Sequence, residues 1–125
     1  MKFLIFGNEI VEQDNLALKL MLRLKEEFPN IGFKEFDPTE NLQAEIEYGT
    51  LNIIDVVQGI QKPIIITNIN QLRQDKVYSM HDFDLGFNLK LLYKIGKLKE
   101  IFIIGLPQNM NEEKALEEVK KIIAN

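Results

Sequence analysis

One histidine, one serine and no cysteine occur among the 125 residues. Without cysteine, disulfides, thiolate metal sites and cysteine nucleophiles are excluded together. A single imidazole, His81, rules out H-E-x-x-H hydrolases and the usual His-rich zinc centres within one chain. Ser79 precedes His81 by two positions and stands outside any G-x-S-x-G elbow, so a Ser-His-Asp hydrolase lacks its setting. No G-x-x-x-x-G-K-S/T run occurs, hence no P-loop. Carboxylates together with His81 must carry most of any catalysis.

The candidates are polar residues that leave the ends of apolar runs. Asn8 and Asp14 follow the first run, Asp37 follows the second, and Asp55 lies in the last half of the third. His81 opens the helical stretch before the last apolar run. Where such loops converge, Asp14, Asp55 and His81 offer two carboxylates and one imidazole to a single point. Oxygen and nitrogen ligands with open positions suit a borderline divalent ion such as Ni²⁺ or Zn²⁺, with water or substrate completing the shell. Each residue has a plainer explanation as well. Asp14 stands where a helix N-cap belongs. Asp55, between Ile54 and Val56, must be paired, metal-bound or at the mouth of its strand, because an unpaired buried charge is costly. His81 equally suits a helix cap or a surface imidazole.

The elements that would position these groups follow from periodicity. Lys2–Phe6 is a short apolar strand ended by Gly7-Asn8. From Asn15 to Phe28, Leu16, Leu20, Leu24 and Phe28 recur every fourth position, with Ala17 and Met21 beside them and Leu18 and Leu22 on a further side. Asp14 caps this helix and Pro29-Asn30 stops it. Ile31–Phe36 is a second strand closed by Asp37-Pro38, and a short polar helix is expected over Glu40–Glu47. Leu51–Val57 is nearly all apolar, the mark of a strand buried on both faces. Lys62–Thr67 is a fourth strand, placed at an edge or a strand start because Pro63 lacks an amide donor. Asn68–Met80 has no regular period. Asp82–Gly96 carries Leu85, Leu89 and Leu92 as a helical stripe with room for Ile95. Glu100–Ile104 is a fifth strand ended by Gly105, and Asn111 caps a last helix built on Ala115, Leu116, Val119, Ile122 and Ile123. Its acids at the start and lysines near the end suit the helix dipole.

Strands without a polar face need helices on both sides. The expected fold is therefore one α/β domain over residues 1–125, a three-layer α/β/α sandwich around a five-stranded, mostly parallel sheet with room for one antiparallel strand. Large aliphatic and Phe residues supply 46 of the 125 positions, enough to exclude a disordered chain. A net charge of −4 with both signs interspersed argues against nucleic-acid binding. No apolar run reaches the roughly 18–20 residues of a membrane span, and the start lacks a signal-peptide layout, so a cytoplasmic chain without membrane contact is expected.

The stretches holding the candidates resemble the hydrogenase maturation endopeptidases, which trim the large subunit of nickel-iron hydrogenases. That family opens with an apolar strand, Gly-Asn, and an acid about six positions on, as in Phe3-Leu4-Ile5-Phe6-Gly7-Asn8 followed by Asp14. An Asp after aliphatics in its third strand is matched by Leu51-Asn52-Ile53-Ile54-Asp55. A Ser/Thr-x-His segment opening a helix is matched by Ser79-Met80-His81, and the closing strand by Ile101–Pro107. The resemblance implies that Asp14, Asp55 and His81 bind a metal ion in a cleft. The ion would be the nickel of the substrate, a hydrogenase large-subunit precursor cut once near its C-terminus after nickel insertion. Zinc or cadmium would substitute. Asp37 is then a candidate base or orienting group. The pattern departs in Asp14, often Glu in the family; in Gln13, commonly an acid; and in Asp37-Pro38-Thr39-Glu40, usually Asp-Gly-Gly.

Three functions are consistent with these residues. The first is a nickel-dependent endopeptidase. The second is a non-catalytic checkpoint or chaperone that docks on the same precursor, suggested by the altered loop. The third is a doubly wound binding domain with no metal role.

Overall fold

The computed structural model describes residues 1–6, 16–36, 40–73, 78–79 and 85–124. Six strands form one sheet: β1 (Lys2–Phe6), β2 (Gly32–Phe36), β3 (Thr50–Gln58), β4 (Ile64–Ile66), β5 (Tyr78–Ser79) and β6 (Glu100–Pro107). Three helices accompany them, α1 (Leu16–Glu27), α2 (Leu85–Lys94) and α3 (Glu112–Ala124), with 3-10 turns at Leu42–Glu45 and Ile69–Arg73. The main path of the sheet runs β2-β1-β3-β6-β4, and the two-residue β5 pairs β3 off that path. β2, β1, β3 and β6 are mutually parallel, while β4 and β5 run antiparallel to their neighbours. The expected five-stranded, mostly parallel sheet is thus present, with β4 at an edge and Pro63 directly before its first residue.

Alternation along each strand sorts the core into two layers. Phe3, Ile5, Ile54, Val56, Ile104 and Leu106 meet α1 and α3 on one face through Leu20, Leu24, Leu116 and Val119. Leu4, Phe6, Ile53 and Ile103 meet α2 on the other through Leu85, Leu89 and Leu92. Register makes aromatic pairs on both faces. Phe3 faces Phe33 and Phe6 faces Phe36 across the β1–β2 pair, with ring centroids 5.9 and 5.1 Å apart. Offset rings at this spacing add about 0.5–1.5 kcal/mol to the area they bury.

Two elements differ from the periodicity reading for identifiable reasons. Ile95 lies beyond α2 and is 54% exposed, because Gly96 takes φ +81° and ends the helix. The Lys97 and Leu98 amides turn back to the Leu92 carbonyl at 3.0 and 3.1 Å, the return of chain that a left-handed residue permits. The last strand does not stop before Gly105 but continues to Pro107. Gly105 is needed inside the ladder, since a Cβ there would come within 2.9 Å of Ile64 Cγ1. The short helix after β2 shrinks to the 3-10 turn Leu42–Glu45, opened by Asn41, whose Oδ1 accepts from the Gln43 amide at 3.1 Å. Leu22, on the further side of α1, is 67% exposed. Asn111 caps α3 as expected, its Oδ1 accepting from the Lys114 amide at 2.8 Å.

Candidate functional site

The parallel strands send their carboxyl ends to one edge of the sheet. From that edge β1 connects through α1, on one face, to β2, while the chain leaving β3 passes through β4 and β5 before α2, on the other face, leads to β6. Connections leaving two adjacent strands in opposite directions open a crevice between them, the place where open α/β sheets hold ligands. The crevice here lies between β1 and β3.

Asp55 stands on β3 beside this crevice. It is 1% exposed, and among the described residues Asp55 and Glu45 are the buried charged side chains. On one side its backbone is in register with Gly105 of β6. On the other, β1 pairs with β3 through Ile53 and Ile54, and β5 takes up at Val57. Asp55 and Val56 fall between those two pairings. Asp55 Oδ1 accepts from the Val56 amide at 2.8 Å, which satisfies a backbone donor where the ladder is interrupted. By alternation Asp55 shares a face with Ile53, and Ile53 packs in the cluster of Leu85 and Leu89. The carboxylate therefore belongs to the α2 face of the sheet, toward its carboxyl edge.

Asp14, Asp37 and His81 lie outside the described residues, so the structure does not bring them together with Asp55. Their described neighbours are placed. Phe6 and Leu16 flank the segment with Asp14, and Phe36, which ends β2, directly precedes Asp37. Ser79 pairs with Val57, and Leu85 starts α2, on either side of the segment with His81. Among the described residues no group of three His, Asp or Glu side chains could hold a metal ion. Of the expected ligands Asp55 is the one among the described residues, and its buried carboxylate is a suitable hard donor for one coordination position.

Two features here escaped the sequence reading. β5, only two residues long, has no period to detect, yet it ties the Ser79 segment to the end of β3. Gly105 suits a strand end by its local sequence, but it is the residue facing Asp55 across the ladder. The signal available was Gly-x-Pro after a fully apolar run, which equally suits a strand end.

The remaining charge is structural. Glu45 accepts from Lys2 Nζ at 2.7 Å and from Lys34 Nζ, tying the 3-10 turn to β1 and β2. The Lys2 hydrogen bond, then that of Lys34, holds the Glu45 carboxyl below its ordinary range against the opposing effect of burial. Arg23 of α1 grips Glu113 of α3 with two hydrogen bonds of 2.6 and 3.2 Å, which lower the Glu113 carboxyl. A cavity of about 500 Å³, lined by Phe3, Thr50, Asn52 and Phe102 among others, opens where β1, β3 and β6 begin, at the opposite edge from Asp55. Glu100 is its one lining carboxylate, so it offers no acid pair. No helix of the described residues is long and apolar enough to cross a membrane.

No family model matches the sequence, and no curated protein matches it. Solved structures do share the fold. The chain is similar to the [NiFe] hydrogenase maturation protease HybD from Thermococcus kodakarensis, with 22% identity and a TM-score of 0.63 over 98% of this chain and 99% of that one. It is similar to the hydrogenase maturating endopeptidase HybD from E. coli, with 16% identity and a TM-score of 0.64 over 95% and 90% of the two chains. An uncharacterized protein from Wolinella succinogenes matches with 14% identity and a TM-score of 0.58 over 98% and 96%. The three-layer α/β fold is thus the one these two proteases have, over nearly the whole chain.

Proposed function

We propose that this chain is an endopeptidase of hydrogenase maturation that removes the C-terminal peptide of a nickel-iron hydrogenase large-subunit precursor after nickel insertion. The observation that carries the reading is a carboxylate, Asp55, buried at the switch point of a fold shared end to end with two maturation proteases. A charge in that position costs free energy, and a core strand keeps one where chemistry uses it.

In this reading Asp14, Asp55 and His81 face the precursor's nickel, which is cargo of the substrate, and zinc or cadmium can stand in for it. A divalent ion so held polarises the scissile carbonyl or acidifies a water. The chain's own part is positioning. β3 is paired with β6 from Thr50 to Val57, so the Asp55 carboxylate is held by backbone on a rigid element. His81 is two residues from Ser79, whose partner Val57 is two residues from Asp55, so covalent reach supports their meeting. At about 3.3–3.6 Å of chain per residue, each of these two-residue spans is no longer than about 7 Å. Phe36 ends β2 at the same edge, and Asp37, the next residue in sequence, is the group proposed to orient the attacking water.

Incubating the protein with a nickel-loaded precursor and weighing the product tests the proposal. One shortened product is expected with the natural chain, and none with Asp55→Asn or His81→Ala. The altered loop Asp37-Pro38-Thr39-Glu40 favours a second reading, a checkpoint that binds the precursor without cutting it. Pro38 fixes φ and removes an amide where glycines would let a backbone approach. Stable binding with no change in precursor mass selects that reading.

A further inference from the structure

The apolar run Leu51–Val57 of β3 is interrupted twice, at Asp55 and at Asn52, and the proposed function uses only the first. Alternation puts Asn52 on the opposite face from Asp55, the one where Ile54 and Val56 meet α1 and α3. Its strand neighbours on that face are aromatic. Asn52 is in register with Phe102 of β6, and Phe3 of β1 lies on its other side, the two rings meeting edge to face with centroids 6.2 Å apart. Asn52 Nδ2 donates to the Lys2 carbonyl at 3.1 Å. Among the described residues no donor reaches its Oδ1. A polar group amid aliphatic and aromatic side chains costs free energy, and the Lys2 carbonyl explains only its donor end.

Asn52 lines the cavity of about 500 Å³ at the amino edge of the sheet, within the size range of clefts that hold small molecules. Phe3, Phe102, Ile122 and Ile123 form apolar walls. The polar groups gather at the strand starts. Thr50 and Glu100, the first residues of β3 and β6, are in register about 4.8 Å apart, on the face that Asn52 and Phe102 share. Each of the three presents an oxygen acceptor, and no lysine, arginine or histidine lines the cavity. Glu100 has no ion pair among the described residues, and the ammonium of Lys2 is taken by Glu45.

We propose that this cavity is a second binding site, for a small free amine with an apolar body about the size of one ring. Charge and hydrogen bonding select the head. An ammonium group supplies donors only, and here it meets the Glu100 carboxylate, the Thr50 hydroxyl and Asn52 Oδ1 with no competing cation. An anionic head would face Glu100 and find no positive partner. The walls select the body, since a ring or short alkyl chain set against Phe3, Phe102 and the two isoleucines leaves water for apolar surface. The site stands at the opposite edge from Asp55 and owes nothing to the precursor reading.

Titration of the full chain with phenethylamine, followed through its isoleucine methyl resonances, tests the site. Saturable shifts at Ile122 and Ile123 are expected, with affinity roughly tenfold or more above that of hydrocinnamate, an anion of similar size and shape. Glu100→Gln, an exposed position, should weaken amine binding about threefold or more. Asn52→Leu should weaken it as well, with circular dichroism checking the fold because the Lys2 carbonyl loses its donor. Glu26→Gln on α1, with the same change in net charge, should leave binding unaltered. No saturable shift with phenethylamine, equal binding of hydrocinnamate, or amine binding indifferent to Glu100→Gln would each overturn the proposal. Tighter binding of Nα-acetyl-lysine amide than of phenethylamine would give the cavity to a lysine side chain of another protein, and would overturn the free ligand. None of these results bears on cleavage of the precursor, which is measured separately.

Discussion

Gly105 faces Asp55 on one side and Ile64 on the other, and replacing it with alanine gives a test whose sign is set by geometry. In an open strand position Gly→Ala stabilises by about 0.5–1 kcal/mol, because the unfolded chain loses freedom. Here the new Cβ would lie 2.9 Å from Ile64 Cγ1 and 3.3 Å from Val57 Cγ2. The nearer atom is the inner carbon of a β-branched side chain on a paired strand, so relief requires moving β4 rather than turning a rotamer. Overpacking of this kind costs about 1–3 kcal/mol, so Gly105→Ala should be net destabilising by about 1–2 kcal/mol. Truncating Ile64 to alanine removes both Cγ1 and Cδ1. In that background Gly105→Ala should be neutral or stabilising, a coupling of about 1–3 kcal/mol. Urea unfolding of the natural chain, both single variants and the double variant measures this directly, provided the m-values agree. Equal effects of Gly105→Ala in both backgrounds, within about 0.5 kcal/mol, would refute the β3–β6–β4 register and the neighbourhood assigned to Asp55.

Three further outcomes follow from other parts of the molecule. Asp55→Asn keeps shape and the acceptor for the Val56 amide but drops the charge, so cleavage should fall at least about 100-fold while stability is unchanged or higher. A loss of several kcal/mol by thermal unfolding would instead make Asp55 a structural ion-pair partner. Glu45, with its carboxyl pKa lowered from the ordinary 4.5, contributes stability that is complete above that value and is lost as pH falls through the lowered folded value. The stability gap between the natural chain and Glu45→Gln should therefore be roughly 1 kcal/mol at neutral pH and close as acid protonates Glu45; a gap that persists in acid contradicts the Lys2–Glu45–Lys34 network. Asn111→Ala removes the acceptor for the Lys114 amide and should cost about 1 kcal/mol in chemical unfolding, whereas no change would mean that α3 is capped by other groups.

The layered architecture was legible because the strands are apolar on both faces and the helices repeat Leu at helical spacing. Pro63 restricted its strand to an edge or placed itself at a strand start, and both hold: it directly precedes β4, which lies at the end of the sheet order. Asp55 was legible for a related reason. A carboxylate within an aliphatic run has no bland position, and it is buried at the switch point. What escaped was set by tertiary contact. β5 exists only because Tyr78 and Ser79 find the free side of β3, which no local period encodes. Gly105 ends a strand by propensity but continues this one because Ile64 needs the space. Asp14, Asp37 and His81 lie outside the described residues, where local sequence names candidates without fixing their positions.

Crystals of the protein soaked in cadmium, with diffraction recorded for its anomalous signal, interrogate the metal-facing trio most directly. A peak about 2–2.5 Å from the Asp55 carboxylate, shared with Asp14 and the His81 imidazole, is the expected result. An imidazole on the opposite face of the sheet from Asp55, or a cadmium ion bound elsewhere while Asp55 stays uncoordinated, would contradict it.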